Sequence, residues 1–107
     1  RIVAEGANGP CTFAGGKVLD ANGIFVIPDI LCNTGGVTVS SFEWVQDRIG
    51  MQWTEFEVNS KLEEYMVRAF HDVHNMSVEA KVGMRTAAMM LAVKRVTDVA
   101  RLRGVYA

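Results

Sequence analysis

Several features that would point to a function are scarce in this sequence. Its 107 residues carry 11 Lys+Arg against 12 Asp+Glu, a formal charge of -1, so the basic stripe of a general nucleic-acid binder is missing. No apolar run approaches the roughly 20 residues of a bilayer span, and no basic, apolar, small-residue leader opens the chain. We therefore expect neither nucleic acid nor a membrane as partner. Cysteine is limited to Cys11 and Cys32, without metal-ligand spacing. They read as free thiols of a reduced, cytoplasmic protein. There is no internal repeat and no low-complexity segment. An initiator Met is also missing: the chain enters the apolar "RIVAE" at once, and we expect a fragment of a longer protein.

What is present describes an ordinary globular chain. Half of the residues are apolar and 21% are charged, enough for one domain with one core. The first third reads as a βαβ unit. "IVAE" (Ile2 to Glu5) is a short β-branched run, followed by the breakers "GANGP". A helix is expected over Phe13 to Ala21, closing at Asn22-Gly23. "IFVIP" (Ile24 to Pro28) is a continuous apolar run that suits a parallel strand covered on both faces, although so short a run also fits a buried helix. Strand, crossover and strand at this spacing imply a parallel pair.

From Val37 onward the pattern is helical. One helix opens at the glycine pair Gly35-Gly36 and stops near Gly50. A second starts at the capping box Thr54 and Glu57 and carries a stripe of Val58, Leu62, Tyr65, Met66, Ala69, Phe70 and Val73. A third runs from about Met84 to Arg103, with Ala88, Leu91, Ala92, Val96, Val99 and Leu102 expected inward and Gly104 ending it. The methionines, Met89-Met90 among them, suit core filling. Trp44 and Trp53 suit packing anchors, and His71 and His74 read as solvent-facing, with no third ligand for a metal.

Two loops leave the carboxyl ends of the expected parallel strands: "EGANGP" (Glu5 to Pro10) and "DILCNTGGV" (Asp29 to Val37). Ligands of open α/β sheets bind there, so both loops should border one crevice. Asn8 and Asn33 each offer a donor and an acceptor, the combination that holds a carboxamide or a ribose hydroxyl. Gly35-Gly36 opens a helix whose first amides attract an anion, with Ser40 about one turn in. On spacing alone the same residues also suit plain turns and caps, and "GANG" is not the GxGxxG phosphate loop.

"VAEGANGP", followed about two dozen residues later by "VIPDILCNTGGVTVSSFEWVQ", and the tail "MRTAAMMLAVKRV" with its closing "LRG", resemble the glutamate, leucine, phenylalanine and valine dehydrogenase superfamily. Within it the likeness is to hexameric glutamate dehydrogenases. The resemblance covers essentially the whole chain. It implies an α/β fold: the second half of a Rossmann-like nucleotide-binding domain (residues 1–36, the βαβ unit and cofactor loops), followed by C-terminal helices that return to brace a first domain (residues 37–107). It implies NAD or NADP as cofactor, held by Gly6, Ala7, Asn8 and Asn33. It further implies L-glutamate or 2-oxoglutarate with ammonia as substrates, bordered by Asn33, Gly36, Val37 and Ser40, Ser40 reaching the distal carboxylate. The partners implied are the missing N-terminal part of the same chain and a homohexamer. The family's catalytic lysines and aspartate belong to the first domain, so no catalytic residue is expected here. An apolar amino-acid dehydrogenase and a non-catalytic assembly module are the alternatives. Cys11, Cys32, the start Phe13-Ala14-Gly15-Gly16 and Gly83 depart from the family pattern, and Gly83 implies a weak cap on the last helix.

Overall fold

The structure is a computed structural model and describes residues 1–104. Strands β1 (Ile2–Ala4) and β2 (Phe25–Ile27) pair in parallel, with Val3 opposite Val26. Helix α1 (Phe13–Ala21) makes the crossover between them. Thr12 starts α1 by accepting the Gly15 N–H on its hydroxyl at 3.1 Å, and Gly23, at φ +62, turns the chain out of it. The βαβ unit is therefore as its sequence predicts, with each strand shortened to three residues. The chain is α/β, mostly helical around a small parallel sheet.

The segment after β2 differs from the expected open loop. Asp29–Cys32 is a short helix, α2. Pro28, at φ -69, sets the backbone ahead of it, and Asp29 accepts the Ile30 N–H at 2.8 Å, so a proline and an acidic first residue start a turn of helix. Four residues are too few for periodicity to reveal. Helix α3 (Gly35–Ile49) then begins two residues before Val37, because Thr34 is already right-handed helical at φ -71 and ψ -10. Neither Gly35 nor Gly36 has positive φ. The pair contributes bareness: a Cβ on Gly36 would meet open space, while one on Gly35 would touch Leu62 at 4.0 Å.

Helix α3 turns Thr38, Val39, Phe42, Val45 and Gln46 inward, an i, i+4, i+7 stripe. It ends at Gly50 in the left-handed region. Helix α4 (Glu55–Ala80) opens with the expected capping box, Thr54 and Glu57 each holding the other's backbone N–H. Its stripe is buried or half-buried apart from Tyr65, whose exposed ring packs edge-on to Phe42 at 5.7 Å. Helix α4 ends with Lys81 at φ +54, Lys81 N–H bonding Val78 O and Val82 N–H bonding Ser77 O. That double closure is a Schellman motif with lysine where glycine is usual.

Helix α5 (Met84–Arg103) begins at Gly83, which supplies no side-chain cap, as expected. Its N-terminal half packs: Met84, Ala87 and Ala88 join Leu31 and Val73 in the core, with Phe25, Ile27, Phe70 and Leu91 around them. The expected inward face fails further on. Ala92, Val96, Val99 and Leu102 are exposed, Leu102 by 88%. Met89 and Met90 are also exposed and stay out of the core. Helical periodicity identifies a face that needs cover without saying which element covers it, and past Arg95, which reaches Asp72 on α4 at 2.6 Å, Val96, Val99 and Leu102 meet solvent. The radius of gyration of 16.7 Å exceeds the ~13 Å of a compact 100-residue domain. Much apolar surface accordingly remains open.

Candidate functional site

The two loops at the carboxyl ends of β1 and β2 are tied side chain to backbone and side chain to side chain. Gly9, at φ +58, donates its N–H to Asp29 Oδ2 at 2.7 Å. Asn33 Nδ2 donates to Asn8 Oδ1 at 2.6 Å. Residues 25 apart in sequence thus form one amide pair, and the two loops lie against each other. Among the described residues the pair leaves Asn8 Nδ2 as a free donor and Asn33 Oδ1 as a free acceptor. Beside them Gly6 has open space where a side chain would stand.

Three residues that sequence reasoning did not single out hold this arrangement. Glu5 directly follows β1 and is the buried charged residue of the described structure, 3% exposed. Its Oε2 accepts the Asp29 N–H at 3.0 Å and the Arg85 guanidinium. Arg85, on the first turn of α5, also donates to Asp29 Oδ1 at 2.8 Å. The Gly9 and Ile30 N–H groups, with Arg85 beside them, hold the Asp29 carboxyl below its ordinary value. Burial works against the Arg85 charge, but its bonds to Asp29 and the proximity of Glu5 carry its pKa upward on balance. The signal that could have found the trio was the acidic residue opening each loop, Glu5 and Asp29, which on a non-basic chain requires a cation. Arg85 lies 80 residues from Glu5, and no local pattern links them.

The residues expected at the substrate side lie on one exposed face of α3. Gly36, Val37 and Ser40 all face outward, on the side opposite Phe42. Thr38 and Ser41 turn their hydroxyls back to Thr34 O and Thr38 O at 2.9 and 2.7 Å. Ser40 makes no such bond among the described residues, so its hydroxyl is available outward. Ser40 is five residues from the start of α3, about 7.5 Å along the axis. The residues at the helix start and Ser40 therefore form two ends of one short surface.

Other candidates resolve differently. His71 is exposed, but His74 is half-buried and stacks on Phe70 at 5.9 Å, which corrects its expected solvent-facing place. Trp53 packs edge-on to Phe42 at 5.8 Å as an anchor, whereas Trp44 is exposed beside Arg48. Cys11 and Cys32 are free, and the Glu5 carboxylate next to Cys11 raises its thiol pKa. A cleft of about 500 Å³ opens under α1, among Phe13, Leu19, Phe25 and Met84, with Glu5 and Arg85 at its polar edge. None of the expected binding residues lines it. No helix among the described residues is long and apolar enough to cross a membrane.

Comparison with known proteins shows what the chain is similar to. The sequence model of the Glutamate/Leucine/Phenylalanine/Valine dehydrogenase family matches residues 1–104. The chain is 45% identical over 104 residues to the cryptic catabolic NAD-specific glutamate dehydrogenase GudB of Bacillus subtilis, covering 97% of this chain and 24% of that protein. It is 47% identical over 103 residues to an NAD-specific glutamate dehydrogenase of Staphylococcus aureus, covering 96% and 25%. The crystal structure of glutamate dehydrogenase from Peptoniphilus asaccharolyticus superposes with a TM-score of 0.93 at 47% identity, over 98% of this chain and 26% of that one. The hetero-hexameric glutamate dehydrogenase of Thermus thermophilus, in a leucine-bound form, gives 0.93 at 33% identity, over 99% and 26%. The chain spans about a quarter of the length of these relatives. With the family pattern running through nearly every described residue and the backbone shared with these two solved structures, the chain belongs to the glutamate, leucine, phenylalanine and valine dehydrogenase family.

Proposed function

We propose that this chain is the C-terminal part of a cytoplasmic, hexameric glutamate dehydrogenase. Residues 1–36 form the second half of a Rossmann-like cofactor domain, and the described residues from 37 to 104 form its helical return. The parent enzyme converts L-glutamate to 2-oxoglutarate and ammonia, and the reverse. The relatives named NAD-specific favour NAD over NADP. The observation that carries the reading is the Asn8–Asn33 amide pair. One donor and one acceptor left side by side at the carboxyl ends of parallel strands match the two hydrogen-bonding edges of a carboxamide.

The residues present fit a nicotinamide nucleotide. Gly6 and Ala7 give it a bare backbone wall, with open space beside Gly6, and Asn8 and Asn33 orient its amide or ribose. When bound, the nicotinamide supplies the hydride chemistry. This chain holds and orients, and its site gains by fixing the reacting groups in one geometry. Gly36 and Val37 border the substrate on the exposed face of α3, and Ser40 donates its free hydroxyl to the distal carboxylate. The open apolar face of α5, including Val96 and Leu102, is covered by other parts of the parent enzyme.

The test uses the full-length parent. Glutamate oxidation is followed with NAD and with NADP, and leucine and norvaline are offered as rival substrates. Selective glutamate turnover with NAD supports the reading. Preference for leucine would assign the protein to the apolar branch of the family, and no turnover with any of them would leave an assembly module.

A further inference from the structure

We propose that Arg85 is a positioning residue for the cofactor, a clamp by which the start of α5 sets the spacing of Asn8 and Asn33. The inference rests on the nicotinamide reading above and adds to it a residue that touches neither cofactor nor substrate. Two carboxylates stand at the roots of the two binding loops, Glu5 directly after β1 and Asp29 after β2. The Arg85 fork bonds one with each arm. From Asp29 the linkage continues to the Gly9 N–H, adjacent to Asn8, and the Asn8 side chain meets Asn33. Glu5 adds a second tie by accepting the Asp29 N–H at 3.0 Å. Without the guanidinium, two anions, one of them buried, would repel at the point where the loops must approach. A lysine carries the same charge but cannot engage both carboxylates with a planar fork. The effect of losing the fork should therefore appear in cofactor binding, because the loops separate while the rest of the core, built on Leu31, Val73 and Ala87, stays packed.

The experiment compares the full-length parent with Arg85→Lys, Asp29→Asn and Ala88→Gly. Binding of reduced NAD is read by its fluorescence, steady-state KM for NAD is compared with kcat at saturation, and thermal midpoints are recorded. Arg85→Lys and Asp29→Asn should each weaken cofactor binding about tenfold or more while kcat at saturating cofactor changes less than about threefold. Ala88→Gly loosens the same helix away from the clamp, so it should lower the midpoint and leave cofactor affinity unchanged. Combining Arg85→Lys with Asp29→Asn should add little to either alone, since both interrupt one linkage. Unchanged cofactor affinity in folded Arg85→Lys and Asp29→Asn, or an equal affinity loss in Ala88→Gly, overturns the clamp. A wild-type parent that binds no reduced NAD overturns the cofactor reading and the clamp with it, and this result is distinct from a wild type that binds normally beside unaffected variants.

Discussion

Ser40→Ala in the full-length parent separates recognition from stability with unusual clarity. The side chain is exposed on α3 and bonds nothing among the described residues, unlike Thr38 and Ser41, whose hydroxyls close on their own helix. Removing it leaves no orphaned partner in the protein, and alanine is the better helix former by up to about 0.5 kcal/mol. The folded state should be unharmed. If the hydroxyl donates to the distal carboxylate of glutamate, its loss removes a hydrogen bond to a charged group, worth about 1.5–3 kcal/mol. At about 1.4 kcal/mol per tenfold, kcat/KM for glutamate should fall about ten- to a hundredfold. Norvaline, which has the same chain without the carboxylate, should lose little. Asn33→Ala serves as the contrast, because its proposed place beside the nicotinamide predicts similar losses for both substrates. The assay is initial-rate kinetics on glutamate and norvaline, with thermal midpoints as control. Equal losses for the two substrates in Ser40→Ala would refute the specificity contact.

The remaining predictions concern the scaffold. Arg85→Met leaves Glu5 buried and unpaired. Removing one partner of a fully buried pair costs about 3–5 kcal/mol, and the half-exposed Arg85 reduces this to about 1–3 kcal/mol, measured by urea unfolding. The double change Arg85→Met with Glu5→Leu should recover most of it, and no recovery would show that the charge was never the problem. Ala87 is completely buried where α5 enters the core, so Ala87→Leu should destabilise by about 1–3 kcal/mol through overpacking, read from the same unfolding curves. Thr54→Ala should cost about 1 kcal/mol at pH 7 by removing the α4 cap. The Thr54 N–H and hydroxyl hold Glu57 below its ordinary value of 4.5, and the Gly9 and Ile30 N–H groups, then Arg85, hold Asp29 below 3.8. Both carboxyls are depressed by folding, so their stabilisation is present above those ordinary values and is lost as pH falls through the lowered native ones. Stability read from urea unfolding should therefore begin to decline as pH drops below about 4.5 and decline further through the lowered native values, and the Thr54→Ala deficit should shrink over the same range.

How much of this was legible in the sequence depended on how local the cause was. Asn22-Gly23 and the Thr54–Glu57 box act within a few residues, and the helices they bound lie where the sequence places them. Helix α2 was hidden because Asp29–Cys32 makes only about one turn, too short for a periodic pattern to repeat. The exposed Val96 and Leu102 were misplaced because helical spacing marks an apolar face but not its cover. At the site, Asn8 and Asn33 were legible from their position after two strands, and the structure joins them. Glu5, Asp29 and Arg85 were not, since their meeting depends on a separation of 80 residues that only the folded chain closes.

That separation has a kinetic meaning. The Schellman turn at Lys81 joins α4 to α5 through contacts between near neighbours in the chain, so this hairpin costs little loop entropy and can form early. The bonds from Arg85 to Glu5 and Asp29 close far longer loops and can reward that cost only once the parallel strands have paired. The binding loops should thus be the last region to order during folding and the first to open in the native state. Amide exchange should then find Gly9 and Ile30 opening by local fluctuations, while Val73 and Ala87 exchange only through unfolding of the core. A site completed last in this way can admit its ligand without disturbing the helices that support it.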